Sequence, residues 1–270
     1  MGTPRAPWVP LLFADRVLLP FVELDQDLAA LEPLGGFFVL RTGGAPQGPL
    51  PTLARAYGNQ SPDAESGARA DPITFRVEKV ARSLHAPELR IAASVAQQGL
   101  AARLWSVTLG CAALYDRIPD LDPALLHWDP DAAAPDDLWL SGVRALPAHA
   151  SSVADTVLHG HLEPLAAALR ARHRIAAGLL WGNAASALAG AARQLEQWAV
   201  RHGRTGDAAR TRVLTAQLLA HPLLSATGTL TGTAFRRRSC CLYYRVPGGG
   251  VCGDCCFLRP PRSSARDASG

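Results

Sequence analysis

Cysteine placement constrains this chain more than any other feature of its sequence. Five of its six cysteines fall within 17 of its 270 residues, in the segment CCLYYRVPGGGVCGDCC. They are Cys240, Cys241, Cys252, Cys255 and Cys256. Thiols at this density predict either a disulfide framework or a site at which thiolates bind a metal.

Disulfides fit the rest of the sequence poorly. The apolar stretch near the N-terminus, residues 6–14, is broken by two prolines and closed by Asp15, so it lacks the continuous apolar run of a secretory signal. We therefore expect a cytoplasmic protein, and the cytosol keeps thiols reduced. A metal site is the better prediction.

The spacing of the cysteines is compatible with a zinc site and with an iron-sulfur cluster. Cys252-x-x-Cys255 is a usual half-site for structural zinc. The other half is the adjacent pair Cys240-Cys241, whose side chains diverge. Such a pair can bind a cluster of several metal atoms more readily than it can chelate a single small ion. The spacing alone indicates a thiolate metal site and only weakly which metal.

A resemblance to a known family narrows the choice. Residues 236–257, RRRSCCLYYRVPGGGVCGDCCF, resemble the C-terminal signature of the FhuF-type ferric-siderophore reductases, which hold a 2Fe-2S cluster with a Cys-Cys-x10-Cys-x2-Cys pattern. Residues 98–105, QGLAARLW, and 181–187, WGNAASA, resemble segments of that family's helical body. The resemblance covers roughly the last two-thirds of the chain, and the cysteine pattern is its specific part.

The resemblance implies both a ligand set and an activity. The implied cluster ligands are Cys240, Cys241, Cys252 and Cys255, with no catalytic side chain beyond the cluster. Cys256 follows the fourth ligand directly, so an exchange of ligand at that point stays open. The implied activity is a cytosolic one-electron reduction of Fe(III) in a siderophore, of the hydroxamate type, that releases Fe(II).

The implied partners are a ferric siderophore and an external electron donor, a ferredoxin or a flavin reductase. The donor is expected to be external because the sequence has no dinucleotide fingerprint or phosphate-cradling loop. The alternative is a helical interaction or regulatory module without turnover, which binds zinc or senses iron or redox state through a cluster. Zinc is redox-silent, so that version predicts a colourless protein.

Arginines and glycines flank the cysteines. Arg236, Arg237, Arg238 and Arg245 would stabilise an added electron or attract an acidic donor, and a solvated loop explains them equally well. Residues 247–250, PGGG, allow a tight turn whose N–H groups are available to sulfur.

The remaining sequence predicts a mainly α fold. With 48% hydrophobic residues the chain can bury a real core. Apolar residues recur at helical spacing from Ile73 to Tyr115 and through three helices from Ser152 to Leu219. A short strand is expected at 37–40, and loops at 43–71 and 118–148. The expected division is a mixed N-terminal region at 1–75, a helical substrate-binding body at 76–225, a loop-rich cluster module at 226–262 and a disordered tail at 263–270.

Nucleic-acid and membrane binding are not expected. The chain has 27 basic and 23 acidic residues, a net charge of +4, and its arginines are scattered rather than striped. A long uncharged run, residues 175–192, is rich in Ala and Gly and contains Asn183 and Ser186. We expect it to be a helix buried in the core rather than a stable membrane insertion.

Within that run, Asn183 either fixes helix packing or lines a ligand pocket with Trp181 and Ser186. Three glycines on the same helix are expected to allow close approach between helices: Gly178, Gly182 and Gly190.

Other polar candidates are assigned structural roles. Cys111 is expected to be a small packing residue. His159 and His161 lie two apart, so they do not share a helix face and no metal site is expected there. The aspartates between 120 and 137 are expected to form a solvated, turn-rich segment.

Overall fold

The computed structural model describes residues 19–43, 50–58 and 71–261. Within these ranges the protein is mainly α-helical, which confirms the predicted fold class. The predicted tail at 263–270 and most of the predicted loop at 43–71 lie outside the described residues.

Nine α-helices occur in the described ranges. They are α1 Leu19–Ala29, α2 Leu53–Tyr57, α3 Pro72–Leu84, α4 Leu89–Tyr115, α5 Ala150–Ala154, α6 Glu163–Arg172, α7 Ala177–Arg201, α8 Thr205–Leu219 and α9 Pro222–Ser225. A π-helical segment, Asp155–Leu162, joins α5 and α6 into one continuous helical stretch. Helix α2 falls inside the predicted loop, where Thr52 caps it by accepting a hydrogen bond from the N–H of Arg55.

Helix α4 is the centre of the core. Its 27 residues contain no proline, and small and apolar side chains cover most of its circumference. It packs along α7, where the indole of Trp105 donates to the carbonyl of Ala184 at 3.1 Å. Helix α7 spans most of the long uncharged run and is buried as predicted. Across the described residues, no helix has both the length and the apolarity needed to cross a bilayer.

Seven short strands complete the described secondary structure. They are β1 Arg41–Thr42, β2 Arg117–Pro119, β3 Leu126–Trp128, β4 Leu138–Leu140, β5 Ala145–Pro147, β6 Gly228–Thr231 and β7 Ala234–Arg237. Strand β4 lies between β1, which runs parallel to it, and β3, which runs antiparallel. Strands β2 and β5 form an antiparallel pair, and β6 and β7 form a hairpin. The predicted loop at 118–148 therefore contains short strands, which are joined by turns and irregular segments.

The predicted strand at 37–40 is displaced. Residues Gly36–Phe38 form a 3-10 turn, and pairing begins only at Arg41. The reason is Arg103 of α4, whose Nη1 donates hydrogen bonds to the carbonyls of Gly36 and Phe37 at 2.8 Å each. Those carbonyls are then not available to a neighbouring strand.

Two aspartates predicted to be solvated are instead buried partners of arginine. Asp137 accepts from Arg103 Nε at 2.9 Å, and both side chains are almost fully buried. Asp120 pairs with Arg144. Removing one partner of the buried Arg103–Asp137 pair leaves an uncompensated charge, which costs about 3–5 kcal/mol. Other aspartates of the segment do form turns, as Asp122 does with the N–H of Ala124.

One continuous apolar core links the ends of the described chain. Leu28, Phe38 and Leu53, all from the N-terminal region, belong to the same buried cluster as the side chains of α4 and α7. Phe235 of β7 also belongs to it. The cysteine segment is thereby attached directly to the helical core. The division into domains stays a prediction.

Candidate metal centre

The hairpin of β6 and β7 leads the chain from the helical core into the cysteine segment. Side chains of β7 alternate between core and solvent, as in any strand with one buried face. Phe235 and Arg237 point inward and are 5% and 2% exposed, whereas Arg236 and Arg238 face outward. The alternation places a guanidinium inside the protein just ahead of Cys240.

Arg237 is a buried cation with incomplete hydrogen bonding. Its Nη2 donates to Asn183 Oδ1 at 2.5 Å and to the carbonyl of Leu179 at 3.4 Å, both on α7. Its Nε and Nη1 are buried without a hydrogen-bond partner among the described residues, and it forms no ion pair there. A buried charge without a counter-charge is strongly unfavourable. This position therefore requires an anion.

The lack of a side chain at Gly182 makes room for this arginine. A Cβ at that position would lie 3.2 Å from Arg237 Nη2 and would collide with Ser239 Oγ. Ser239 Oγ itself donates to the carbonyl of Gly178 at 2.9 Å. A Cβ added at Gly178 or Gly190 would meet nothing within 4 Å, so the close approach predicted for three glycines occurs at Gly182 only.

Asp254 fixes the Cys-x-x-Cys loop to α7. This residue lies between Cys252 and Cys255 and is 8% exposed. Its carboxylate accepts from Ser186 Oγ at 2.6 Å and pairs with Arg193 Nη1 at 3.4 Å. Its carbonyl also accepts from the N–H of Arg237 at 3.0 Å, which joins the loop to the hairpin.

Ser94 of α4 fixes the other cysteine pair. Its Oγ donates to the carbonyl of Cys241 at 2.8 Å. Asn183 Nδ2 donates to the carbonyl and Oγ of the same serine, at 2.9 and 3.0 Å. A buried chain of hydrogen bonds thus runs from the backbone of Cys241 through Ser94 and Asn183 to Arg237. Asn183 is a packing residue of this network, which is the first of the two predicted roles.

The five thiols form two groups. The sulfurs of Cys241 and Cys252 lie 3.6 Å apart. The sulfurs of Cys240, Cys255 and Cys256 all lie within 4.8 Å of one another. Two thiolates on one tetrahedral metal lie about 3.8 Å apart, given metal–sulfur bonds of about 2.3 Å. Both groups are therefore compact enough to bind metal with little movement.

Backbone N–H groups point at four of these sulfurs. Each belongs to the residue two positions after the cysteine, and the pairs are Leu242 to Cys240, Tyr243 to Cys241, Asp254 to Cys252 and Phe257 to Cys255. Such donors stabilise thiolates and tune the metal that they bind. At the predicted glycine turn, the N–H of Gly249 bonds the carbonyl of Val246 at 2.8 Å, so this N–H closes the turn rather than bonding a sulfur.

The charge of Arg237 favours thiolate at this centre. The pKa of Cys241 is lowered to about 7, first by the hydrogen bond that it shares with Cys252 and further by the N–H of Tyr243 and by Arg237, against the effect of burial. Burial raises the pKa of Cys240 and Cys256, and Arg237 opposes that rise. Thiolate is the form that binds metal.

These residues fit an anionic thiolate cluster. Four thiolates around a 2Fe-2S core carry about two negative charges when oxidised and three when reduced. The unpaired guanidinium of Arg237 supplies charge of the opposite sign, and its Nε and Nη1 supply donors that nothing in the described protein uses. The donor set and the buried cation therefore complement each other.

Two family models match the chain. The model described as ferric iron reductase FhuF-like transporter matches residues 88–238, and that of the FhuF 2Fe-2S C-terminal domain matches residues 237–257. The chain belongs to the FhuF-like ferric iron reductase family. The second match also identifies the cofactor of the cysteine segment as a 2Fe-2S cluster, which resolves the choice between zinc and iron-sulfur. A search of curated proteins found no match.

Membership of the FhuF-like family supports oxidoreductase activity toward ferric iron in general. The structure adds the residues that surround the cysteines. Sequence reasoning did not single out Ser94, Arg193 or Asp254, and it treated Arg237 as one of a run of arginines. Two signals were available: the i, i+2 spacing of Phe235 and Arg237 on a strand, and an acidic residue inside the Cys-x-x-Cys loop.

The other candidates lie apart from this centre. Cys111 is fully buried in the core, as predicted, and burial raises the pKa of its thiol. His161 is buried, bonded to Tyr57 Oη and to the carbonyl of Leu121, and burial lowers its pKa to about 4. His159 is exposed and contacts Glu163 at 2.5 Å. The two histidines therefore face different surroundings.

We predict that Gly182→Ala weakens the attachment of the cysteine segment. The added Cβ must displace Arg237 or Ser239, and overpacking of this kind costs about 1–3 kcal/mol. Thermal unfolding should begin at a lower temperature, and iron and sulfide content after anaerobic purification should fall. Gly190→Ala is the matched control on the same helix, where open space predicts a gain of about 0.5–1 kcal/mol. Equal behaviour of the two variants would contradict the proposed close contact.

Proposed function

We propose that this protein is a cytoplasmic ferric-siderophore reductase that reduces Fe(III) in a hydroxamate-type chelate by one electron. The observation that carries the proposal is a group of mostly half-buried thiols in the segment that follows Arg237, a buried arginine with two nitrogens unbonded among the described residues, in a chain of the FhuF-like ferric iron reductase family. The structural role of the helices is to hold that arrangement. The helical body at 76–225 is proposed to carry the chelate-binding surface.

The proposed ligands are Cys240, Cys241, Cys252 and Cys255. The backbone N–H two positions on bonds each of these sulfurs, and such donors favour the thiolate form. Cys256 differs, because among the described residues no backbone N–H two positions on bonds its sulfur. The local backbone thus supports the four cysteines of the family pattern over the fifth.

The cluster supplies a one-electron redox couple, and the fold of the protein determines from which side redox partners can reach the cluster. Cys241 is buried on the side of the helices, while Cys240, Cys252 and Cys255 are partly exposed. A chelate can therefore approach the sulfurs without entering the core. Hydroxamate oxygens bind the small, hard ferric ion far better than the ferrous ion, so one electron is enough to loosen the complex. No acid or base from the protein is needed for that step.

An external protein is proposed to deliver the electron. Arg236 of β7 and Arg238, just after that strand, are exposed, and Arg236 Nη2 contacts the carbonyl of Cys256 at 3.3 Å. Apolar side chains are also exposed in the cysteine segment and just after it, above all Leu258 at 81% and Val251 at 38%. A basic rim with apolar contacts is complementary to an acidic electron-transfer protein such as a ferredoxin.

We predict rapid electron transfer from the reduced protein to a ferric trihydroxamate. Anaerobically purified protein should contain about two irons and two acid-labile sulfides per chain and should be red-brown. After reduction and removal of excess dithionite, stopped-flow mixing with the chelate should restore the oxidised spectrum and yield one Fe(II) per chain, trapped by a ferrous chelator.

The gallium complex of the same hydroxamate is the matched control, because it has nearly the same shape and charge but cannot be reduced under these conditions. It should leave the reduced spectrum unchanged. Colourless protein with one zinc, or equal spectral changes with gallium and iron, would contradict the proposed function. A stable cluster that no ferric chelate reoxidises would favour the sensing alternative.

We also predict that reduction by an acidic ferredoxin depends on Arg236 and Arg238. The rate should fall as salt rises, because the screening length is about 10 Å at 0.1 M ionic strength. Arg236→Glu/Arg238→Glu should lower the rate at low salt by about tenfold or more. Arg55→Glu/Arg170→Glu, at exposed positions on α2 and α6, is the control with the same total change of charge. If both proteins show the same rate and salt dependence, the donor binds elsewhere.

A further inference from the structure

We propose that Cys256 is a reserve ligand on the Cys240 side of the cluster, so that the protein can hold its cluster with either Cys255 or Cys256. The Cys241 side has no such reserve. The inference rests on the proposed ligand set and adds to it an asymmetry between the two irons. It concerns a residue of this chain that lies outside the family's four-cysteine pattern.

The grouping of the sulfurs carries the asymmetry. Cys241 and Cys252 form a close pair, with their sulfurs 3.6 Å apart. Cys240 has two thiols within 4.8 Å, those of Cys255 and Cys256, which also lie that close to each other. Because each iron of a 2Fe-2S cluster takes two thiolates, the first pair is sufficient for one iron. The second group has one thiol more than the other iron needs.

Two local features keep Cys256 near the centre. Its carbonyl is held by Arg236 Nη2 at 3.3 Å, which ties this end of the segment to strand β7. Its thiol lies within 4.8 Å of the sulfurs of both Cys240 and Cys255.

The backbone determines which thiol is used first. The N–H of Phe257 bonds Cys255 Sγ at 3.4 Å, whereas no backbone N–H of the described residues bonds Cys256 Sγ in this way. Cys255 is therefore the ligand of the intact protein. When Cys255 is absent, the Cys256 thiol releases its proton and binds in its place. One thiolate replaces another, so the charge of the ligand set does not change.

Alanine variants test the proposal, since alanine, unlike serine, offers no oxygen ligand. Iron, acid-labile sulfide and the visible and EPR spectra are measured after anaerobic reconstitution of each full-length variant. Cys255→Ala should keep about half or more of the wild-type cluster content, with altered EPR g-values, because a ligand of different orientation is used. Cys256→Ala should match the wild type.

Two further variants make the test specific. Cys252→Ala should lose cluster by about tenfold or more, because no spare thiol lies beside Cys241. Cys255→Ala/Cys256→Ala should lose it to the same extent. Far-UV circular dichroism identifies any variant that fails to fold, and the double variant then shows whether retention in Cys255→Ala requires Cys256.

The outcomes separate this inference from the proposed function. Loss of cluster in Cys255→Ala equal to that in Cys252→Ala, with the wild type fully loaded, would overturn the reserve ligand and leave the reductase intact. Retention of cluster in the double variant would overturn it as well. Absence of a cluster from the wild type would instead overturn the proposed function.

Discussion

The buried guanidinium of Arg237 is the interaction on which the rest of this structure depends. It lies inside the protein with two nitrogens unbonded and without a carboxylate partner among the described residues. A charge in that position is tolerable only if an anion lies beside it. The charge of Arg237 acts to lower the pKa of the thiols of Cys240, Cys241, Cys252 and Cys256, so thiolates of the cysteine segment are complementary to it. The burial of Arg237 in the hairpin and the charge of the metal centre are therefore energetically coupled.

Helix α7 holds both the hairpin and the Cys-x-x-Cys loop in place. Leu179, Gly182, Asn183, Ser186 and Arg193 follow the spacing of one helix face, and each contacts the hairpin or the Cys-x-x-Cys loop. The opposite side of the helix packs into the apolar core against α4. A small-residue and polar stripe on an otherwise apolar helix therefore marks the place where the cluster module attaches. The same stripe leaves most of the cysteines at the surface, where redox partners can reach them.

The sequence predicted the regular parts of the fold and the chemistry of the site well. Periodicity located α3, α4, α7 and α8 because each is long and buries an apolar face. The cysteine spacing, with the family resemblance, led to the 2Fe-2S cofactor that the family match identifies. The predicted set of four ligands is untested and remains a proposal.

Other features could not be predicted because they depend on distant partners. The displaced strand at 37–40 reflects Arg103, which lies more than sixty residues away in the chain. Asp120 and Asp137 resemble turn residues until their arginine partners are known. Ser94 carries no local signal at all, since its role arises where α4 meets α7 and the Cys241 backbone. The burial of Arg237 could be predicted only from the alternation of inward and outward side chains along β7. The run of three arginines gives no sign of that alternation.

The reduction potential of the cluster in Arg237→Gln tests the central claim most directly. Glutamine keeps a donor for Asn183 but removes the charge, and the loss of one nearby charge in a partly buried site corresponds to a shift on the order of 100 mV. In an EPR-monitored titration we expect the potential of Arg237→Gln to fall by that order, while Arg236→Gln, whose side chain is exposed and screened, stays close to the wild type. Potentials that are the same in both variants would show that Arg237 is not the counter-charge of the cluster.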